Sequence, residues 1–406
     1  MYFIFLIGCN LPQNKNSEVK TGLDQVKDYG QLFNKKQIGI ITNHTAYNSK
    51  NQFITEVFKN LESVKVTALF GPEHGIHGNA AAGVIVDSAI DENQNIPIYS
   101  LYGEHRKPTT EMLREIDLLV YDIQDVGSRY FTYIYTMALA MEAAAEQGIP
   151  FVVLDRPNPI NGLKVEGNVL ESGFTSFIGM YPLPVRHGMT TGELARMFNG
   201  EGWLEGGVKA DLTVIPMKNW KRKMWYDQTG LNYVRPSPNL PTLFSATVYP
   251  GTCLLEGSNV SEGRGTQMPF LIFGAPWIET GRLSQQLNQL NLAGIHFSDT
   301  LFTPVAIPGM AENPKYQDTL CMGIKVSITD REKYVPYRSG IHIVKTIHDL
   351  YPEYFSWRAR HFDLLCGSDQ VRLAIENGTN IDNLISSWQE PLDKFIRVRE
   401  KYLLYE

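Results

Sequence analysis

The sequence predicts an α/β protein: a Rossmann-like, mostly parallel sheet domain followed by a smaller α+β domain. Three observations carry this. Five apolar, β-branched runs lie in the first 160 positions, and buried parallel strands read as continuous apolar stretches rather than alternating ones. Those runs are interleaved with helical candidates in the order β-α-β-β-α-β-α-β, the signature of a Rossmann-like sheet. At 406 residues the chain is long for a single core, so two domains are expected.

The elements follow in order. Gln37–Ile41 is the first strand and ends in Thr42, Asn43 and His44; a short amphipathic helix is expected over Asn51–Asn60. Val64–Phe70 ends in Gly71-Pro72-Glu73-His74-Gly75, and Ile96–Tyr102 in Gly103, Glu104, His105 and Arg106. Thr109–Glu115 is helical, with Thr109 and Thr110 as caps. Ile116–Tyr121 ends in Asp122, Gln124, Asp125 and Arg129. Phe131–Gln147, rich in Ala, Met and Leu, is the strongest helix and is stopped by Gly148 and Pro150. Phe151–Leu154 ends in Asp155, Arg156 and Asn158. Ligands of open α/β sheets bind at the carboxyl ends of the strands. The polar clusters therefore describe one rim, and its carboxylates and arginines suit a polar, anionic substrate.

A turn cluster at Asn158–Gly162 and an irregular stretch over Gly167–Phe177 place a domain border near 165–190, with domains expected over 21–175 and 176–406. Thr190 three residues before Glu193 has the form of a capping box and opens a helix. The stretch 235–270 is rich in Pro, Gly and polar residues. Beyond it, strands are expected over Leu301–Ile307 and Met322–Thr329. Helices are expected over Leu283–Leu290, Gly340–Tyr351, Asp369–Asn377 and, with breaks, Asn380–Glu406.

A formal charge of -6 argues against nucleic acid as a main partner, and Lys221-Arg222-Lys223 is too short a basic run to alter that. No stretch of about 18 apolar residues is present for a membrane-spanning helix. At the amino terminus the apolar Tyr2–Ile7 leads into Leu6-Ile7-Gly8-Cys9, which resembles a bacterial lipobox. That reading makes the first 20 residues a signal remnant and polar linker. The protein would then be exported to the periplasm or cell envelope and anchored by a lipid on Cys9. The segment lacks a basic start, so either the true start lies upstream or the apolar run is a frayed tail. With Cys9 lipidated, Cys253, Cys321 and Cys366 are an odd set, so at least one is a free thiol.

The sharpest motif is Gly71-Pro72-Glu73-His74-Gly75-Ile76-His77-Gly78. Its glycines allow backbone close to a ligand, and Glu73, held just past a strand in a half-buried cleft, suits a general acid. A structural loop carboxylate is the alternative. His74 and His77 fit no strong zinc spacing. In Asp122–Tyr130, Arg129 can grip a carboxylate by two points, or pair with Asp122 to brace the loop. Asp155-Arg156-Pro157-Asn158-Pro159 is either a site segment or a rigid crossover. Arg186 and His187 before the helix at 190 face the cleft or serve packing. Glu256, Asn259, Glu262 and Arg264 crowd nine residues between glycines, a density that rarely serves a core. There is no G-x-G-x-x-G after the first strand, no G-x-S-x-G, no P-loop and no H-E-x-x-H. Carboxylate chemistry is the most economical option left.

Taken together, the chain from about Gly22 onward resembles the exo-β-N-acetylmuramidases of the NamZ type, a bacterial glycoside hydrolase family once catalogued only as a domain of unknown function. The blocks that carry the resemblance are Gly39–Thr45, Leu69–Gly75, Asp122–Tyr133, Val153–Asn161, Pro182–Gly188, Arg235–Pro241 and Glu256–Thr266, in order. The resemblance implies a Rossmann-like domain paired with a smaller one, the site in the cleft between them, and release of N-acetylmuramic acid from the non-reducing end of peptidoglycan-derived chains. It also implies that Glu73 is catalytic and that no cofactor is needed.

Glycoside hydrolysis normally uses two carboxyl groups. Glu256, Glu262, Asp122 and Asp125 are candidates for the second, unless the substrate's own acetamido oxygen attacks. For the lactyl carboxylate the candidates are Arg129, Arg264 and Arg186, in that order. Asn43, His44, His74, Gln124, Tyr130, Asp155, Arg156, Asn158, His187 and Asn259 complete the expected binding set. Two rivals stand beside this reading: a non-catalytic sugar-binding lipoprotein, and a metal-dependent hydrolase using His74, His77 and Asp122.

Overall fold

The computed structural model describes residues 18–81, 83–84, 89–91 and 96–406. Cys9 and the segment around it lie outside them. The first strands are β1 (Gln37–Thr42), β2 (Lys65–Gly71), β3 (Ala89–Asp91), β4 (Ile96–Ser100), β5 (Leu118–Asp122) and β6 (Phe151–Leu154). After a two-stranded ribbon of β7 (Glu166–Val169) and β8 (Pro184–Arg186) comes β9 (Leu212–Ile215). The large sheet has seven strands in the order β3-β4-β2-β1-β5-β6-β9, all parallel except β3 at the edge. The expected Rossmann-like sheet is thus present. It extends past residue 175, because β9 pairs with β6 from Phe151↔Leu212 to Leu154↔Ile215.

Chain order reverses at β1, which has β2 on one side and β5 on the other. The register there is level: Thr42 lies beside Asp122, and Ile41 beside both Tyr121 and Phe70. The polar residues that follow these strands therefore emerge on one edge, the usual place for a ligand crevice.

Tyr133–Gln147 is a helix capped at its carboxyl end by left-handed Gly148 (φ 66°). From Tyr133 to Ala144 all but Leu139 are buried, which suits a helix enclosed by protein on nearly every side. The capping box of Thr190 and Glu193 forms as expected at the head of the helix Thr191–Gly200. One core runs from Ile41 to Phe395 and joins the sheet to the later elements, while a second core fills the other face of the sheet.

The smaller unit carries an antiparallel sheet of β10 (Ile272–Ala275), β11 (Ile295–Phe302) and β12 (Cys321–Ile328), ordered β10-β12-β11, and is flanked by helices. β11 begins earlier than the expected Leu301–Ile307 strand and stops at Phe302, just before Thr303-Pro304. Within the Pro/Gly-rich stretch a helix spans Leu243–Thr252 despite Pro250. Its end meets the helix Pro336–Leu350 backbone to backbone. A Cβ on Gly251 would lie 2.0 Å from the Pro336 carbonyl oxygen, and one on Gly340 would lie 2.3 Å from that of Gly251. Cys253, Cys321 and Cys366 are free and buried. Among the described residues no helix is long and apolar enough to cross a membrane.

Candidate active site

β2 feeds directly into Pro72-Glu73-His74-Gly75, where His74 and Gly75 both take left-handed backbone (φ 71°). This turn holds Glu73 half-buried past the strand end. One carboxylate oxygen accepts the Gly83 N–H at 3.1 Å, and the other accepts the Thr132 hydroxyl at 2.8 Å. Thr132 is in turn the residue that opens the buried helix Tyr133–Gln147. Tyr102 stands beside Glu73, and its phenol is pushed up to about 12, first by burial and then by the Glu73 charge. His74 is buried, with Nδ1 2.7 Å from the Ala80 carbonyl oxygen. Burial lowers its imidazole against the opposing pull of Glu73, so it favours the neutral form.

Facing this turn is a wall of ion pairs carried by the short turn Cys253–Gly257 and the loop after it. Arg264 lies 2.7 Å from Glu256 and 3.3 Å from Glu262, with its guanidinium 5.2 Å from the centre of the Phe270 ring. Lys315 reaches Glu262 at 3.0 Å and donates to the Leu255 and Val260 carbonyls at 2.9 Å each. His361 stands 3.6 Å from Glu256. Burial alone would raise the Glu256 carboxyl, but Arg264 and His361 outweigh it and hold it down to about 2.

Between the two walls lies a cavity of about 560 Å³, lined on one side by Glu73, His74, Tyr102, Tyr130 and Thr132 and on the other by Glu256, Glu262, Arg264, Lys315, Arg358 and His361. That is an ordinary size for a small-ligand site. A second cavity of about 670 Å³ is lined largely by Tyr226, Tyr233, Leu243 and Phe244. Its single carboxylate, Asp227, is paired with Arg331 at 2.7 Å, so the carboxylate chemistry sits in the first.

Of the residues expected from the sequence, Glu73, His74, Tyr130, Glu256, Glu262 and Arg264 line the cavity; the others do not. Asp122 and Arg156 form a buried ion pair, with Nη2 2.9 Å from Oδ2. Asp155 accepts from Thr190, Gly192 and Tyr405 and so caps the helix at 191; burial pushes its carboxyl up to about 6. Asn43 caps its own turn at Thr45, and His44 lies 2.7 Å from the Arg235 carbonyl oxygen. Gln124 donates to Asp125 and Pro157, and Asn158 to Met189. Arg129 spends its guanidinium on four main-chain carbonyls. Arg186 bonds Glu166 and the Ile160 carbonyl. Asn259 ties its loop to Tyr354 and Ser356.

His77 is exposed, and no group of three residues suited to hold a metal occurs among the described residues. The cavity residues not expected from the sequence include Tyr102, Thr132, Tyr249, Lys315, Arg358 and His361. Only the basic run Arg358-Ala359-Arg360-His361 had a visible signal.

Asp125 is buried beside the rim, with its Oδ2 2.7 Å from the Gly127 N–H and 3.8 Å from His187 Nε2. His187 Nδ1 accepts the Met189 N–H, which fixes a neutral ring, and burial lowers that ring to about 3. Burial pushes the Asp125 carboxyl up to about 7. The folded chain therefore holds a proton there that the unfolded chain releases near pH 4. The resulting stability is full below about pH 4 and is lost as pH rises through about 7. Asp125→Asn is expected to match wild type in urea unfolding at about pH 3 and to exceed it at pH 8 by about 2–4 kcal/mol. Identical pH profiles for the two proteins would refute this.

Comparison with known proteins adds a family to this geometry. Residues 38–244 match the N-terminal domain of the exo-β-N-acetylmuramidase NamZ, and residues 247–405 match its C-terminal domain. The chain is similar to a peptidoglycan β-N-acetylmuramidase NamZ of Bacillus subtilis (strain 168), with 49% identity over 393 residues, covering 96% of this chain and 92% of the relative. Two crystal structures of DUF1343 family proteins from Bacteroides fragilis NCTC 9343 share the fold, with TM-scores of 0.87 and 0.79. They are 38% and 36% identical, and each comparison covers 96% of this chain and 99% of the other.

Proposed function

Since the chain belongs to the NamZ family of exo-β-N-acetylmuramidases, we propose that the cavity between Glu73 and the Glu256–Arg264 wall is where it acts, with Glu73 as the proton donor. The chain is a glycoside hydrolase of peptidoglycan in cell-wall turnover. It releases N-acetylmuramic acid from the non-reducing end of fragments in which that sugar is β-1,4-linked to N-acetylglucosamine.

One observation supports Glu73 above the other carboxyls. Glu256 and Glu262 are bound to cations and Glu312 is exposed, whereas half-buried Glu73 meets only neutral donors among the described residues. A carboxyl fixed in this way can deliver a proton to the glycosidic oxygen, because the Thr132 hydroxyl can turn from donor to acceptor. Glu256 accepts a hydrogen bond from Arg264, and the charge of Glu262 is paired with Arg264 and Lys315, which makes either a poor nucleophile. That favours attack by the substrate's acetamido oxygen on the anomeric carbon. The C–O bond to N-acetylglucosamine breaks, and its oxygen takes the Glu73 proton. Water then opens the resulting oxazolinium ring at the anomeric carbon and gives its proton back to Glu73.

Export and a lipid anchor on Cys9 belong to the same proposal. They are supported by the lipobox-like Leu6–Cys9 and by the extracellular position of peptidoglycan. The test of the activity is release of free N-acetylmuramic acid from a muramic-acid-ended disaccharide by the purified protein. Binding of that disaccharide without release, over a range of pH, would instead indicate a sugar-binding protein.

A further inference from the structure

We infer that Arg358 reads the lactyl carboxylate of the muramic acid end, an inference that rests on the muramidase reading above. The argument is one of committed donors. A muramic acid ring differs from glucosamine by an ether-linked carboxylate, which a free guanidinium fork is suited to grip by two points.

Arg129 is fully buried and already donates to the carbonyls of Asn168, Leu183, Leu365 and Cys366. Arg186 is buried against Glu166 and Ile160. Arg264 does line the cavity, but Glu256 and Glu262 neutralise it from two sides. Lys315 donates to two main-chain carbonyls, and its charge is paired with Glu262.

Arg358 is the exception among the described cations that line the cavity. Its guanidinium is exposed and makes one long bond, 3.4 Å, to the Glu256 carbonyl oxygen. Its backbone, by contrast, is pinned. The Arg358 N–H donates to the Gly257 carbonyl at 2.8 Å, and Trp357 pairs with Ser258 as an isolated bridge. The helix Ala359–Cys366 starts at the next residue, so its positive end adds to the same field. Arg358 is thus an anchored Cα carrying a free cation beside Glu256, on the wall facing Glu73.

The test measures binding of free N-acetylmuramic acid and of N-acetylglucosamine by calorimetry to wild type, R358A and R358K, with melting curves for all three. Wild type is expected to prefer N-acetylmuramic acid. R358A should lose about 10–100-fold in affinity for it while binding N-acetylglucosamine unchanged. R358K should keep part of the preference, and all three should melt alike. On the disaccharide, the R358A loss should appear mainly in KM rather than kcat. A preference retained in R358A, an equal loss for both sugars, or equal binding of both sugars by wild type would overturn the assignment. Binding needs no turnover, so a wild type that prefers N-acetylmuramic acid yet releases none would sink the hydrolase reading and leave Arg358 in place.

Discussion

Glu73→Gln is expected to lower release of N-acetylmuramic acid from the disaccharide by about 10²–10⁴-fold, the contribution typical of a positioned general acid. The substitution is close to isosteric and spares the fold. A glutamine oxygen still accepts one of the two donors, Gly83 N–H or the Thr132 hydroxyl, and that hydroxyl can rotate to accept from the new amide. The variant should therefore melt like wild type and still bind N-acetylmuramic acid. Activity within a few-fold of wild type would move the proton transfer to another group. Glu256 and Glu262 would then have to act from within their ion pairs.

Arg129→Met is expected to destabilise the fold by about 3–5 kcal/mol. The Arg129 guanidinium is fully buried and has no carboxylate partner among the described residues. Its positive charge is instead balanced by carbonyl oxygens of Asn168 at 2.9 Å, Leu183 at 2.8 Å, Leu365 at 3.0 Å and Cys366 at 2.6 Å. It also packs on Gly367, where a Cβ would lie 2.7 Å from the guanidinium. Methionine fills much of the volume but donates nothing; the Leu183 and Cys366 carbonyls keep the Leu170 N–H and the Asn168 amide, whereas those of Asn168 and Leu365 lose Arg129, and each buried polar group left unpaired costs about 1–3 kcal/mol. A urea midpoint unchanged from wild type would show that the Asn168 and Leu365 carbonyls find other donors.

The parts of the fold that could be read in the sequence were those whose burial is continuous. β1, β5 and β6 are enclosed on both faces and stand as plain apolar runs, and the helix Tyr133–Gln147 has almost no polar face to disguise it. β9 is as long as β6 but only Ile215 of it is buried, and β3 has three residues, so neither stands as a continuous apolar run. The helix Leu243–Thr252 carries Pro250 and Gly251, both of which read as punctuation.

The site divides in a similar way. Polar residues at strand ends mark the rim, but their type does not say whether they face a ligand or the next loop. Asp122 and Arg156, 34 residues apart, find each other and leave the cavity, while Glu73 finds only Gly83 and Thr132. Lys315 reaches the cavity from a distant segment with nothing in its local sequence to mark it, whereas Arg358 and His361 stand in a short basic run whose place in the fold the sequence does not give.

At the crossing of Gly251 and Gly340 nothing larger than hydrogen fits between two main chains. The helix that ends there runs straight on into Cys253–Gly257, the turn that carries Glu256. A methyl on either glycine would meet main-chain atoms of the other helix and force the pair apart, shifting the start of the turn that carries Glu256 without touching any residue that lines the cavity.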